Sequence, residues 1–320
     1  MLHYQAWGAG DPVIALHPLA LESSAFAGVA SVLARQGLRT LGVDLPGFGR
    51  SPAPEGPLTP ARLAEPVLEF ARSLERPPLL LGMSLGGRVA LEAALAEPKA
   101  FRGAVIVAPY LPWRRWRPAL GLLGRLEPQW GQRVPLEKAW PILKRVAEAL
   151  ESIPDLEHDW LARASVRVIY YSSCPATRVS LLSAVREMAL EPASGPRSVW
   201  SRLPRLALPA TFLWAGRDAL VPRDHARRLD GVLPRADQVE APCSGHFVSG
   251  AHFRCMRHAI SLAVAQTLDA SPLGSARRRQ RGARTLAPCL VGASILDEEQ
   301  VAPDPIPAAA RAVGTRRGVA

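Results

Sequence analysis

The stretch Leu79-Leu80-Leu81-Gly82-Met83-Ser84-Leu85-Gly86-Gly87 decides the fold of this 320-residue chain. Its apolar first half predicts a strand and the residues from Leu85 to Ala96 predict a helix, so the chain turns sharply between them. A turn of this kind forces its central residue, Ser84, into a strained backbone conformation and lifts the side chain clear. Strand and helix then approach so closely that the flanking positions tolerate little beyond glycine. The stretch therefore predicts a nucleophilic serine at the end of a strand.

The same alternation of strand and helix continues on both sides of this turn. Short apolar runs predict strands at Val13–Leu16, Leu38–Val43, Leu79–Met83, Val105–Ala108, Ala207–Trp214 and Asp237–Glu240. Amphipathic stretches predict helices near Ser24–Gln36, Thr59–Leu74, Leu85–Ala96, Asp224–Asp230 and Gly250–Leu268. Strands that alternate with helices across Gly- and Pro-rich turns are typical of βαβ units and a parallel sheet. We therefore expect an α/β fold with a doubly wound, mostly parallel sheet.

A break in this alternation divides the chain into three predicted parts. Residues 1–109 and 206–270 form the α/β core. Residues 110–205 form a helical insertion, which is interrupted by prolines and has one strand candidate, Val166–Tyr171. Residues 271–320 are rich in Arg, Ala and Pro with little hydrophobic periodicity, which predicts a disordered basic tail.

Two later residues are candidates for the partners that a nucleophilic serine needs, a base and a carboxylate that orients it. After a turn of this kind the partners follow in the order acid, then histidine. Asp218 follows one predicted strand, and His246 follows the next, 28 residues later. Alone, Asp218 could simply cap the following helix and His246 could be a surface-loop histidine. Because all three residues stand in order at strand ends, we predict a triad of Ser84, His246 and Asp218.

Two backbone N–H groups are candidates for an oxyanion hole, which stabilises the charge that develops on an attacked carbonyl oxygen. The first is the N–H of Leu85, directly after the nucleophile. The second lies in the loop after Val13–Leu16, where Pro18 has no N–H and Leu19 is the candidate donor. We expect His17 in that loop to be structural and to orient the loop through its ring nitrogens.

Five segments together resemble the α/β-hydrolase superfamily, in particular its small bacterial esterases, lactonases and carbon–carbon bond hydrolases: Leu16-His17-Pro18-Leu19, Asp44-Leu45-Pro46-Gly47-Phe48-Gly49-Arg50-Ser51, the Ser84 turn, the Asp218 segment and Gly245-His246. The resemblance covers roughly residues 3–270 and implies a cap domain inserted after the sixth strand of that fold. Asp44 is given a turn role and no catalytic part.

The chain departs from the usual pattern of that superfamily at two places. His17-Pro18 replaces the more usual His-Gly, and one short strand, Leu2–Trp7, precedes Val13–Leu16, which leaves the sheet one strand short of the usual eight.

The leading functional prediction is a serine hydrolase that cleaves a carboxylic ester-type bond of a small, largely apolar substrate. It would work through an acyl-enzyme, without a cofactor or metal. Hydrolysis of a lactone or a carbon–carbon bond, or acyl transfer, would use the same triad. A catalytically silent receptor on the same fold is a further alternative. A serine nucleophile argues against the epoxide hydrolases and haloalkane dehalogenases of this fold, which use an aspartate.

The charge gives a weaker indication of function. The chain has 39 Lys and Arg against 28 Asp and Glu, a net charge of +11, of which residues 272–320 contribute +4. The remaining +7 is spread without long runs, mostly as Arg on predicted helices, where a solvated face is the simpler interpretation. Nucleic-acid binding is therefore a minor alternative. The segment Trp113–Arg117 alternates rings and cations and could meet an acidic carrier protein or nucleic acid, although one exposed helix end explains it more simply.

The apolar stretches, cysteines and tryptophans indicate the cellular compartment of the protein and the packing of its insertion. The early apolar stretch Pro12–Leu21 is far shorter than the roughly 20 residues of a membrane span, and no charged segment precedes it as in a signal peptide. Four cysteines have no metal-ligand spacing, so we expect a reduced, cytoplasmic protein. Six of the eight tryptophans fall in the insertion and are expected to pack it on the core or to line a pocket: Trp113, Trp116, Trp130, Trp140, Trp160 and Trp200.

Overall fold

The structure, a computed structural model, describes residues 1–113, 121–133, 141–142, 145, 169, 172, 174–218, 220–246 and 250–270, with the backbone alone at 250–253. Much of the predicted insertion lies outside the described residues, as do the predicted tail and almost all of the strand candidate Val166–Tyr171. Trp116, Trp140 and Trp160 lie outside them too. The division into core, cap and tail therefore stays a prediction.

Strands and helices alternate along the described chain. The strands are β1 (Tyr4–Trp7), β2 (Asp11–Leu16), β3 (Leu38–Val43), β4 (Leu79–Met83), β5 (Gly103–Val107), β6 (Ala210–Ala215) and β7 (Asp237–Ala241). The helices are α1 (Ala27–Ala34), α2 (Pro60–Arg72), α3 (Leu85–Ala96), α4 (Trp130–Arg133), α5 (Pro175–Leu190), α6 (Val199–Arg202), α7 (Asp224–Val232) and α8 (Gly250–Ala270). Every strand and helix that the alternation predicts in the core is present, with ends displaced by a few residues.

The seven strands form one sheet in the order β1-β3-β2-β4-β5-β6-β7, and only β1 runs antiparallel to its neighbour. The central strands β4, β5 and β6 are buried along almost their whole length, as strands covered on both faces are. The helices supply that cover, since α3 packs on β4 and β5, and α8 packs on β5, β6 and β7. The expected α/β fold with a doubly wound, mostly parallel sheet is confirmed.

Local sequence explains where individual helices begin and end. The Thr59 hydroxyl accepts the Arg62 N–H at 3.2 Å and Pro60 opens α2, so the first turn is capped and preorganised. The predicted helix Ser24–Gln36 is instead a 3₁₀ turn at Ser23–Phe26 followed by α1. It ends early because Gly37 takes φ +72° and returns its N–H to the carbonyl of Ala34 at 3.0 Å.

The described part of the insertion packs directly on the core. The Ser183 hydroxyl of α5 accepts the N–H of Leu58 at 3.0 Å. Trp200 of α6 is buried in the hydrophobic core, and its ring meets the ring of His225 in α7 edge-to-face, with centroids 5.3 Å apart. Trp200 therefore packs the insertion onto the core, one of the two roles expected of the tryptophans. Two helical arginines that the charge pattern assigns to solvated faces, Arg88 and Arg178, are buried instead because each has polar partners inside the fold.

Candidate active site

The turn between β4 and α3 has the sharp geometry that its glycines predict. Ser84 takes φ +52° and ψ −113°, a conformation that L residues rarely adopt. A Cβ on Gly82 would lie 2.4 Å from the carbonyl oxygen of Gly86, and a Cβ on Gly86 would lie 2.1 Å from that of Leu16. Only glycine fits at these two positions, because the opposing atoms belong to the backbone. The turn therefore holds the Ser84 side chain at the carboxyl end of β4.

The structure brings Ser84, His246 and Asp218 together. Nε2 of His246 lies 2.9 Å from Oγ of Ser84, and Nδ1 lies 2.9 Å from Oδ2 of Asp218. All three side chains are more than nine-tenths buried. Ser84 follows β4, Asp218 follows β6 and His246 follows β7, so one edge of the parallel sheet presents all three.

The hydrogen bonds of Asp218 indicate which ring nitrogen of His246 carries the hydrogen. Oδ1 of Asp218 accepts the N–H groups of Leu220 and Val221, both at 2.8 Å, so the carboxylate also holds its own loop. An ionised carboxylate only accepts, so Nδ1 of His246 carries the hydrogen that points at Oδ2. Nε2 is then the acceptor that faces the Ser84 hydroxyl. In this tautomer the imidazole can take a proton from Ser84.

The two candidate oxyanion-hole donors lie on the elements that were expected to carry them. Leu85 opens α3, where the first N–H groups have no acceptor within the helix. Leu19 lies in the loop after β2, and that loop starts against α3, because a Cβ on Gly86 would meet the carbonyl oxygens of Leu16 and His17 at 2.1 and 2.7 Å. Ala20 takes φ +59°, so the loop turns tightly just beyond Leu19. The roles of Leu19 and Leu85 stay predictions.

His17 ties this loop to the core. It is fully buried, its Nδ1 lies 2.8 Å from the carbonyl oxygen of Pro18, and its Nε2 accepts the N–H of Leu45 at 2.9 Å. Nδ1 therefore carries the hydrogen. Burial lowers the pKa of His17 and so favours this neutral ring. Both ring nitrogens are engaged in structural contacts, as expected from the sequence.

Asp44, a second carboxylate that follows a strand, holds a turn rather than the catalytic histidine candidate. Its side chain accepts the N–H of Ser23 at 2.6 Å and that of Arg50 at 2.8 Å, and it lies 2.8 Å from Nδ1 of His3. Burial raises the pKa of Asp44, but these hydrogen bonds outweigh it and leave the pKa below its usual value. Asp44 is thus a fixed anion in the turn after β3, consistent with the turn role given to it from the sequence.

Two buried groups near this site carry no signal in the sequence motifs. One is a cluster between α3, the end of α5 and α6, in which the buried side chains of Arg88, Glu92 and Glu191 meet the partly exposed Arg202. The other is His225 in the first turn of α7. Within the described residues there is no group of three or more His, Cys, Asp or Glu side chains placed to hold a metal ion. Nor does any helix in that part of the chain have the length and apolarity needed to cross a membrane.

The comparison with known proteins shows the family of this chain. The family model described as alpha/beta hydrolase fold matches residues 11–252. The pimeloyl-[acyl-carrier protein] methyl ester esterase of Edwardsiella ictaluri is 29% identical over 253 residues, which cover 77% of this chain and 90% of the relative. The enzyme of the same name from Chromobacterium violaceum is 28% identical over 255 residues, which cover 77% and 91%.

Solved structures are similar to the chain in fold. The esterase EaEST from Exiguobacterium antarcticum has a TM-score of 0.60 at 18% identity, over 84% of this chain and 95% of the other. The enol-lactonase from Burkholderia xenovorans LB400 has a TM-score of 0.58 at 18% identity, over 83% and 96%. These two structures concern the fold alone, and the family match over residues 11–252 supports the assignment. The chain belongs to the α/β-hydrolase family and is a hydrolase whose curated relatives include esterases.

Proposed function

We propose that the protein is a serine esterase that cleaves carboxylic esters through a covalent acyl-enzyme on Ser84. The observation that carries this proposal is the His246 ring, whose two nitrogens lie 2.9 Å from Ser84 Oγ and 2.9 Å from Asp218 Oδ2. Nucleophile, base and orienting carboxylate then stand in one hydrogen-bonded row. Their burial strengthens each electrostatic contact, because water does not screen it.

The reaction follows from this row. Nε2 of His246 takes the Ser84 proton as Oγ attacks the ester carbonyl, and Asp218 stabilises the imidazolium that forms. The N–H groups of Leu19 and Leu85 donate to the oxyanion of the tetrahedral intermediate. His246 then protonates the departing alcohol. Water enters, and His246 removes its proton as the water oxygen attacks the acyl carbonyl. The bond between the acyl carbon and Ser84 Oγ then breaks, His246 returns the proton to Oγ, and the carboxylic acid leaves.

We propose that the substrate is a methyl ester of an acyl group attached to an acyl carrier protein. The name shared by the curated relatives states this substrate for them, and the aligned region covers nine-tenths of their length. The predicted insertion, residues 110–205, carries 15 Lys and Arg against nine Asp and Glu, which suits an acidic carrier. Lactone hydrolysis and acyl transfer would use the same triad, but the likeness to an enol-lactonase at 18% identity concerns the fold alone.

Replacement of the nucleophile tests the chemistry. We expect Ser84→Ala to lower turnover of a short p-nitrophenyl ester by about 10⁵-fold and to abolish labelling by a fluorophosphonate. The exposed Ser31, whose hydroxyl donates to the carbonyl of Gly28 in the same helix, provides the matched control. Ser31→Ala should keep both activities. Turnover that survives in a folded Ser84→Ala protein would overturn the proposal.

A further inference from the structure

Three hydrogen bonds to other backbone groups hold the N–H and the carbonyl of Ser84. Its carbonyl oxygen accepts the N–H of Arg88 at 3.0 Å and that of Tyr110 at 3.1 Å, and its own N–H donates to Val107 at 2.9 Å. The bond from Arg88 continues the α3 helix, whereas the bond from Tyr110 comes from the segment after β5. A non-glycine residue at φ +52° is strained, so its conformation persists only where neighbouring contacts impose it.

The side chains of the same two residues hold the C-terminal end of α5. Nε of Arg88 lies 2.9 and 3.2 Å from the two carboxylate oxygens of Glu191, the residue that directly follows α5. The Tyr110 hydroxyl donates to the carbonyl of Met188 in the last turn of that helix. Arg88 and Tyr110 therefore connect α5 with the Ser84 carbonyl by two separate routes.

The ionic part of this connection is buried and balanced. Arg88 is 1% exposed and the Glu191 side chain 9% exposed. Arg88 also pairs with Glu92, and Arg202 of α6 donates to Glu92 at 2.7 Å, so two cations face two carboxylates. Apolar side chains of similar volume would give comparable stability, because burying charges is costly. What the ion pairs add is one fixed position of α5 relative to α3.

We propose that Arg88, Tyr110 and Glu191 are positioning residues for Ser84, and we call these three residues the α5 link. The α5 link couples the position of α5 on the core to the position of the Ser84 backbone. It therefore sets the alignment of Ser84 Oγ with His246. The inference rests on the proposed role of Ser84 as nucleophile and goes beyond it. It assigns part of the reactivity of Ser84 to a helix end that lies 103 residues from Arg88 in the sequence.

Variants that cut the link without leaving a buried charge test the proposal. Tyr110→Phe removes the donor to α5 alone. The double variant Arg88→Leu/Glu191→Leu removes one ion pair as a unit and leaves Glu92 paired with Arg202. In each we expect kcat for a short p-nitrophenyl ester, and the rate constant of fluorophosphonate labelling, to fall about tenfold with KM unchanged. Glu97→Gln, which breaks an exposed pair with Arg72, is the matched control and should behave as wild type.

The readouts separate positioning from a merely structural role. Wild-type kcat and labelling rates in both folded link variants would overturn the proposal. A rise in KM at unchanged kcat and labelling rate would overturn it too, since α5 would then only shape the substrate site. The Ser84→Ala variant is measured in parallel. If Ser84→Ala kept its turnover, the proposed function would fail together with the link, whereas an inactive Ser84→Ala beside unaffected link variants would remove the link alone.

Discussion

His225 is the least satisfied polar side chain near the site. It is 2% exposed, and neither ring nitrogen has a hydrogen-bond partner in the described part of the chain. The rings of Trp113 and Trp200 lie edge-to-face with its ring, with centroids 5.9 and 5.3 Å away. Burial, helped by the nearby Arg228, lowers the pKa of His225 to about 4, although Asp224 and Asp218 oppose the shift. The folded protein therefore keeps this ring neutral at pH 7.

The depressed pKa of His225 predicts a loss of stability in mild acid. Below pH 6.5 the unfolded chain binds a proton at this residue, but the folded chain does not until about pH 4. The contribution of His225 to the free energy of unfolding is therefore complete above pH 6.5 and falls by about 3 kcal/mol as the pH drops to about 4. His225→Phe keeps an aromatic ring between the tryptophans and should remove this part of the pH dependence.

Chemical denaturation of wild type and His225→Phe at pH values from 7 to 4 provides the measurement. The difference between the two curves isolates His225, because His17, whose pKa burial also lowers, contributes equally to both. Curves that decline in parallel would show that His225 carries no linked proton. At pH 7 we expect the variant to be at least as stable as wild type, since two unpaired buried nitrogens are removed.

Packing between β4 and α3 governs the site at the level of elements. The strand and the helix meet at Gly82 and Gly86, and the first turn of α3 also touches the end of β2 through Gly86. The loop that carries Leu19 starts at that end of β2. Gly86 therefore sets the spacing between Ser84 and the second proposed oxyanion donor.

Gly86→Ala should damage both stability and turnover. Its Cβ would lie 2.1 Å from the carbonyl oxygen of Leu16, a backbone atom that no rotamer change can move away. We expect a loss of about 1–3 kcal/mol in the free energy of unfolding and a lower kcat, as the loop moves away from α3. Gly231→Ala is the matched control, because a Cβ there meets nothing within 4 Å inside α7. A Gly86→Ala protein with wild-type stability and kcat would contradict this account.

Sequence periodicity predicts the strands and helices because each is a local pattern. The glycine turn around Ser84 is local too. Ser84 and His246 are 162 residues apart, but the triad could be proposed because each member follows a predicted strand and the order is fixed. The pairing of Arg88 with Glu191 is different, because 103 residues separate them and no pattern links them. Arg88 and Glu92, four residues apart on α3, resemble an ordinary surface pair in the sequence. In the fold they meet Glu191, which follows α5, and Arg202 of α6, so their burial depends on distant parts of the chain and is a tertiary effect.

The net charge is unevenly distributed over the whole molecule. Residues 1–109 and 206–270 together carry 16 Lys and Arg against 15 Asp and Glu, close to neutrality. Residues 110–205 carry 15 against nine, and residues 271–320 carry eight against four. The excess that looks dispersed in the sequence therefore lies mainly in the predicted cap and tail. Positive charge concentrated in these parts favours encounter of an acidic partner with the predicted cap and tail, rather than non-specific electrostatic binding to the core.

This distribution predicts a salt effect that depends on the carrier. For a methyl ester attached to an acyl carrier protein, kcat/KM should fall about tenfold between roughly 0.05 and 0.3 M NaCl, because salt screens the attraction between the basic protein and the acidic carrier. The same methyl ester, with the carbonyl that joined it to the carrier capped as a small neutral thioester, carries no charge, so its kcat/KM should change less than about twofold. Steady-state kinetics on both esters across the salt series makes the comparison, with the capped ester as the internal control for effects of salt on the triad. Equal salt dependence for the two esters, or no preference for the carrier-linked one at low salt, would remove the carrier from the proposed function while leaving ester hydrolysis at Ser84 intact.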